Sequence, residues 1–254
     1  MAKRPGKLRF DQLLVERGLF ETRSKAQAAI MAGKVRLAGH ARLKAGSEVP
    51  EDAPVEVLAD ACPFVSRGGL KLRAALDAFG VDPRGRVCLD VGASTGGFTD
   101  CLLKRGAKRV HAVDVGHGQL DAKLRADPRV RVLEETHARD LMPALIDPPP
   151  DLAVIDVSFI SLTKVLPHVL RCLPGPFDLI ALIKPQFELE PKKTPKGIVR
   201  EPAHREEAVA RVRAAAMALH LTERGLIESP LTGAKGNIEF LIHLVATVPS
   251  PPLG

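Results

Sequence analysis

The stretch LDVGASTGGFTD, residues 89–100, contains the glycine-rich turn that decides the fold. Apolar residues lead into Asp90, three glycines lie within the turn, and a helical pattern begins near residue 97. A strand, a glycine-rich turn and a helix start are typical of a nucleotide-type ligand site in an α/β sheet. The spacing is DxGxxxGG, not GxGxxG, and the turn has no lysine for a triphosphate. The pattern therefore excludes a P-loop.

The chain around this turn alternates between strand-like and helical segments. This alternation predicts an α/β fold, a Rossmann-like and mostly parallel sheet with helices on both faces. The turn TGAKGN before the last strand is too short for a parallel crossover, so that strand is expected to run antiparallel. The predicted strands are VCLDVGA, RVHAVDVG, VRVLEE, LAVIDVSF, LIALIKP, LIESPL and EFLIHLVATV, and the predicted helices lie near 97–105, 118–125, 161–172 and 204–221.

The first 58 residues are predicted to form a small, basic α+β domain. Between Lys3 and Lys44 there are eleven Lys or Arg and only three acidic residues. Two short helical patterns end at Gly18 and Gly33, and small strands follow. This arrangement indicates an RNA-binding domain, and a solvated basic face is the alternative. We expect a linker at 59–66, a second domain at 67–249 and a disordered tail at 250–254.

Composition narrows the possible partners and compartments. The net charge of +7 and a pI near 9.4 favour an anionic partner, either nucleic acid or an anionic membrane surface. No apolar run approaches the ~20 residues of a spanning helix, and the start lacks a signal-peptide pattern. The four cysteines are scattered without a CxxC pair, which predicts neither a metal site nor disulfides. A cytoplasmic protein is expected.

Two acidic residues at strand ends indicate the ligand. Asp90 precedes the glycine turn and can bind a ligand ammonium. Asp114 closes the next strand, about 20 residues on, where an acid can bind a ribose hydroxyl pair. S-adenosylmethionine (AdoMet) has an amino-acid head and a ribose but no phosphate, so these residues predict AdoMet as the cofactor.

Four further charged residues are predicted to converge on the same crevice, because ligands bind at the carboxyl ends of parallel strands. Asp156 and Lys184 end the fourth and fifth predicted strands, and Lys71 lies in the helix before the first predicted strand. Glu239 begins the antiparallel strand, whose start lies at the same edge. A structural cluster of ion pairs is the alternative.

These motifs resemble a known family. The segments FVSRGGLKL, LDVGASTGGFTD, VDVGHGQL, VIDVSFISL, LIKPQFE and GNIEF occur in the order found in TlyA-type ribosomal RNA methyltransferases, within the wider FtsJ-like ribose 2′-O-methyltransferase class. The resemblance implies methylation of cytidine ribose in ribosomal RNA. It also implies a ribosomal-protein-like N-terminal domain and a catalytic tetrad of Lys71, Asp156, Lys184 and Glu239. The chain departs from the family's usual residues at Phe64, His117, Ala122 and His137.

We assign expected roles on this basis. Lys184 is expected to be the base that takes the ribose proton. The expected partners are ribosomal RNA and ribosomal subunits, with no membrane, metal or obligate protein partner. AdoMet is expected to contact Asp90, Gly92, Ala93, Ser94, Gly96, Gly97, Phe98, Thr99, Asp114, Val115, His137 and Asp156. RNA is expected to contact Arg4, Arg23, Lys25, Lys34, Arg36, Arg42 and Arg67. Lys192, Lys193 and Lys196 offer further RNA contacts or form a solvated loop.

There are three alternative functions, and the sequence argues against each of them. Relatives carry haemolysin labels, which suggests a membrane-active protein. A non-catalytic RNA-binding ribosome assembly factor could retain the cofactor pocket. A base methyltransferase for adenine would typically have an Asn/Asp-Pro-Pro-aromatic stretch where this chain has DVSF, residues 156–159.

Overall fold

The chain divides into two compact units, Met1–Pro63 and Phe64–Gly254. The computed structural model describes residues 6–20, 22–31, 33–37, 43–57 and 62–246.

The first unit combines two helices with two small antiparallel strand pairs. Its buried apolar residues, including Phe10, Leu14 and Ile30, form a core of their own. The elements are β1 (Lys7–Arg9), α1 (Phe10–Glu16), α2 (Arg23–Met31), β2 (Val35–Leu37), β3 (Glu48–Pro50) and β4 (Val55–Val57), with β1 paired to β3 and β2 to β4.

A buried carboxylate organises the basic side chains of this unit. Asp11 has no exposed surface and accepts hydrogen bonds from Arg9 (3.1 Å), Arg23 (3.3 Å) and Gln27 (2.6 Å). The hydrogen bond from Arg9 is the largest of the effects that hold the pKa of Asp11 well below its usual range. Asp11 therefore fixes the positions of two arginines that stay about half exposed.

The second unit is built on a seven-stranded sheet of order β10-β11-β9-β8-β5-β6-β7. β5 to β9 pair in parallel, whereas β11 runs antiparallel to both β9 and β10. This confirms the predicted α/β fold class and the antiparallel last strand. The strands are β5 (Val87–Val91), β6 (Arg109–Val113), β7 (Val130–Leu133), β8 (Leu152–Ile155), β9 (Phe177–Ile183), β10 (Thr222–Glu228) and β11 (Phe240–Ala246).

The helices of this unit connect the strands. Since the chain moves outward from β5 in both directions, right-handed crossovers place α4 and α6 on opposite faces of the sheet. The helices are α3 (Gly68–Phe79), α4 (Gly97–Lys104), α5 (Ala122–Arg125), α6 (Leu162–Leu170), α7 (Pro185–Glu188) and α8 (Pro202–Ala218).

Several predicted segments had wrong limits, and for two of them the structure shows the cause. The helix expected at 118–125 is reduced to α5, because the N–H groups of Gly118, Gln119 and Leu120 donate to the Glu134 carboxylate instead of starting a helix. The strand expected at 226–231 begins at Thr222, since its pairing with β11 starts there.

Candidate active site

The carboxyl edge of the sheet gathers the charged residues predicted from the sequence. Asp156 follows β8, Lys184 follows β9, and both strands run parallel. β11 runs the opposite way, and its first residue, Phe240, pairs with Ile183. Glu239 therefore lies beside the position of Lys184.

Two ion pairs form at this edge. Lys184 Nζ lies 2.6 Å from Asp156 Oδ1 and donates a hydrogen bond of 2.8 Å to Ser158 Oγ. Lys71 Nζ lies 2.5 Å from Glu239 Oε2. The lysine side chains are only 11% and 12% exposed, so both ammonium groups are held against carboxylates that are largely shielded from water.

These pairs border a cavity of about 400 Å³, which we call the catalytic cavity. Lys71, Asp156 and Lys184 line it, together with Arg67 and Thr232. Glu239 is buried behind the wall of this cavity. Three members of the predicted tetrad thus face one space, and the fourth orients Lys71 from behind.

A second carboxylate ties together the loops that carry Asp156 and Lys184. Glu188 of α7 accepts hydrogen bonds from Ser161 Oγ (2.5 Å) and from the backbone N–H of Leu162 (2.8 Å). Arg211 donates to the Glu188 carbonyl at 2.9 Å. Burial raises the pKa of Glu188. This contact fixes the start of α6 against the turn that follows Lys184.

The glycine turn after β5 lies against the end of β8. At Gly92, φ is +89°, and a Cβ would lie 2.3 Å from the carbonyl oxygen of Asp156. Only glycine fits there. The Asp114 carboxylate accepts from the N–H of Ser94 and from that of Gly116, both at 2.7 Å. The turn is therefore fixed by the strand ends on either side of it.

A larger cavity of about 770 Å³, the cofactor cavity, lies on the other side of this turn. Its lining is mostly apolar, with Val113, Val115 and Ile160 among the contributing side chains. It shares Gly92, Ser94, Asp156 and Ser158 with the catalytic cavity, so the two are contiguous.

Asp90 is the most deeply buried charged residue of the site. Its side chain has no exposed surface, and Thr99 Oγ1 donates to Oδ2 at 2.6 Å. Its Oδ1 has no partner among the described residues. Burial raises the pKa of Asp90 to about 7.

The cofactor cavity fits the AdoMet that the sequence predicts. Gly92 allows the close contact between the turn and Asp156, both of which line the cavity, and Asp114 faces it from the end of β6. An apolar lining suits an adenine ring, and the orphaned Asp90 oxygen behind the turn can compensate a positive charge. Within the described ranges, no group of three or more His, Cys, Asp or Glu is arranged to hold a metal ion.

The predicted cofactor residues occupy three kinds of position. Gly92, Ser94, Asp114, Val115, His137 and Asp156 line the cofactor cavity. Ala93, Gly97 and Phe98 line only the catalytic cavity. Asp90, Gly96 and Thr99 line neither of them. Their roles toward AdoMet stay predictions.

The predicted RNA residues are divided between the two units. Arg67 is exposed and lines the catalytic cavity. In the first unit, Arg23 is held by Asp11, and Arg36 pairs with Glu56 at 2.7 Å. Lys25 lies in α2, and Lys34 lies just after the end of this helix. Arg4, Arg42, part of the expected linker and the expected tail lie outside the described residues.

Sequence reasoning missed Glu134, directly after β7. Its carboxylate accepts from the N–H groups of Gly118 (2.9 Å), Gln119 (3.0 Å) and Leu120 (3.3 Å), and from Arg125 at 2.6 Å. The backbone hydrogen bond from Gly118 is the largest of the effects that lower its pKa to about 2. Glu134 thereby shapes the loop that carries Gln119 into the cofactor cavity. Its position after a parallel strand was the available signal.

Comparison with known proteins gives two family matches. Residues 64–246 match the FtsJ-like methyltransferase family, and residues 8–55 match the S4 domain.

Individual relatives align over nearly the whole chain. The 16S/23S rRNA (cytidine-2′-O)-methyltransferase TlyA of Mycobacterium tuberculosis is 46% identical over 238 residues, 93% of this chain and 89% of the relative. A Bacillus subtilis protein, provisionally named an rRNA methyltransferase, is 49% identical over 242 residues, 94% of this chain and 85% of the relative. A solved Streptococcus thermophilus structure, provisionally named a hemolysin, gives a TM-score of 0.76 at 41% identity, covering 99% of this chain and 92% of that one.

In the described part of the chain, no helix is both long and apolar enough to span a bilayer.

A substitution at Gly233 tests how tightly Glu239 is held. A Cβ there would lie 1.8 Å from Glu239 Oε1, so Gly233→Ala must displace the carboxylate or the loop. We expect a loss of about 1–3 kcal/mol in the free energy of unfolding. Gly175→Ala is the control, because a Cβ there meets nothing within 4 Å. Chemical denaturation measures both, and equal stabilities would contradict the described packing.

The buried Asp90 predicts a pH-dependent stability difference. Its carboxyl group ionises near the ordinary pKa of 3.8 when unfolded and near 7 when folded. Folding therefore takes up a proton between these values, and the wild-type loses stability as pH rises through them. Asp90→Asn has no such loss, so its melting temperature should exceed that of the wild-type at pH 8 and approach it at pH 4. Asp52→Asn at an exposed site is the control. A difference in melting temperature between Asp90→Asn and the wild-type that does not change with pH would contradict this prediction.

Proposed function

The chain belongs to the FtsJ-like methyltransferase family, and on that premise we propose that it methylates the ribose 2′-hydroxyl of cytidine in ribosomal RNA. The family and AdoMet as the methyl donor are as predicted from the sequence. The relative TlyA is named for the transfer to cytidine in 16S and 23S rRNA. We extend that substrate to this chain, with assembled subunits in the cytoplasm as its setting.

The contact of Lys184 with Asp156 at the junction of the two cavities is the observation that carries this proposal. A ribose in the catalytic cavity would lie beside Lys184, and a cofactor in the adjoining cavity would lie beside Asp156, which lines both. The arrangement brings a candidate base to the boundary between donor and acceptor.

The residues of the chain supply positioning and proton transfer. AdoMet supplies a methyl group on a positively charged sulfur, which is already an activated electrophile. Lys184 accepts the proton of the 2′-hydroxyl after its own ammonium group has lost a proton to solvent. Asp156 and Ser158 hold its Nζ in place at 2.6 and 2.8 Å. Lys71, fixed by Glu239, places a second nitrogen on the cavity wall, where it can donate to the ribose.

We assign the two predicted domains separate tasks. Residues 1–58 bind RNA, and residues 67–249 carry out the transfer. The basic side chains of the first unit and the match to an S4 domain support the first assignment. Arg67, at the mouth of the catalytic cavity, is suited to a phosphate close to the target nucleotide.

A substitution at Lys184 tests the assigned base. Lys184→Ala should lower the rate of methyl transfer to unmethylated ribosomal subunits by about 100- to 10,000-fold, the usual contribution of a general base. Its affinity for AdoMet should stay close to that of the wild-type, since Lys184 lines only the catalytic cavity. Transfer is measured with radiolabelled AdoMet, and binding by calorimetry.

Lys108→Ala is the matched control, because Lys108 is exposed at the opposite edge of the sheet. Full activity of Lys184→Ala would remove the base assignment. Wild-type protein that binds AdoMet but transfers nothing to either subunit would favour the ribosome assembly factor.

A further inference from the structure

Backbone strain in the second unit is concentrated around the two cavities. Six non-glycine residues of the described chain have positive φ, and all but His220 lie at the carboxyl edge. Ser94, Glu135 and Phe159 belong to loops that line or adjoin the cofactor cavity. The other two are lysines, Lys196 with φ +56° and Lys235 with φ +58°, which the proposed chemistry does not use. Such strain persists where the surroundings enforce it, commonly at functional sites.

These two lysines belong to loops that are hydrogen-bonded to each other. Asn237 Oδ1 accepts from the N–H of Val199 at 2.9 Å, and its Nδ2 donates to the carbonyl of Gly197 at 2.9 Å. Lys235 Nζ donates to the carbonyl of Lys196 at 2.8 Å. We call the joined segments 190–200 and 231–238 the basic platform.

The basic platform is also anchored to α8. Leu189 and Val199 are buried against Ala208 of α8 in a small apolar cluster. Lys193 Nζ contacts both carboxylate oxygens of Glu207, at 2.5 and 2.7 Å. A freely solvated loop would show neither contact, so the backbone that carries the remaining cations is held in one arrangement.

The charge of the basic platform is strongly positive. Its two segments contain five Lys or Arg and a single acid, Glu190. Lys192, Lys196 and Arg200 are exposed and make no ion pair within the described ranges. The segment 231–233 also lines the catalytic cavity, and residues 235 and 237 of the same loop are hydrogen-bonded to the segment that carries these cations.

We propose that the basic platform binds backbone phosphates of the RNA strand next to the target nucleotide, with Asn237 as the residue that positions it. This inference rests on the proposed function, because it takes the target to be RNA. It adds a binding surface within the methyltransferase unit itself. Lys192, Lys196 and Arg200 are the phosphate contacts, and the strained, hydrogen-bonded loops preorganise them.

The composition of the basic platform favours RNA over a lipid surface. Stable membrane binding by a surface segment needs apolar side chains that insert below the headgroups. The large apolar side chains exposed in the described structure lie elsewhere in the chain. Exposed cations with no apolar side chains beside them are suited to the solvated backbone phosphates of RNA.

Salt dependence of RNA binding tests the surface directly. The platform variant carries Lys192→Gln, Lys196→Gln and Arg200→Gln in the full chain. Because each phosphate contact contributes about 0.7 to the slope of log affinity against log salt, the slope should fall by about 2. The control variant, Arg84→Gln, Lys108→Gln and Arg224→Gln, removes three exposed cations toward the opposite edge and should keep the wild-type slope. The probe is unmethylated ribosomal RNA.

Kinetics test the positioning role. Asn237→Ala should raise the KM for RNA more than it lowers kcat, with the affinity for AdoMet unchanged. Equal slopes for platform and control variants, with wild-type transfer intact, would overturn the platform while leaving the proposed function in place. Wild-type transfer to RNA is measured separately, and its absence would contradict the proposed function and not the basic platform. The platform variant is also tested with phosphatidylglycerol vesicles. If it lost binding to these vesicles while its RNA binding stayed unaltered, the assignment would be overturned in favour of a membrane.

Discussion

The close approach of Gly92 to Asp156 is the constraint on which the site depends. It brings the turn after β5 within contact distance of the end of β8, at a separation that no larger residue allows. The cofactor cavity and the catalytic cavity lie on either side of this contact and share its residues. In the proposed reaction, donor and acceptor would meet where these two strand ends meet.

Charge balance gives the site a second requirement. Each lysine of the tetrad is held by its own carboxylate, Lys184 by Asp156 and Lys71 by Glu239. A poorly solvated ammonium without such a partner is costly, so the pairs keep two cations beside one cavity. Each pair also fixes the direction of its nitrogen. That direction is what a base and a hydroxyl-binding group need.

Much of this arrangement was predictable, because it follows from the ends of strands. Asp114, Asp156 and Lys184 each follow a parallel strand, and the short turn before β11 fixed the direction that brings in Glu239. Glu134 follows a strand too. Its role was missed because residues 118–120 were predicted to be helical. In the structure they form a loop, and their N–H groups donate to Glu134. Asn237 joins two loops that are about 40 residues apart in sequence, which no local pattern indicates.

The identity of the methylated product tests the central claim most directly. Each unmethylated ribosomal subunit would be incubated with the protein and AdoMet bearing a deuterated methyl group, and its RNA digested to nucleosides for mass spectrometry. We expect the deuterated methyl group in 2′-O-methylcytidine. Deuterium in a base-methylated nucleoside, or in no nucleoside of either subunit, would contradict it.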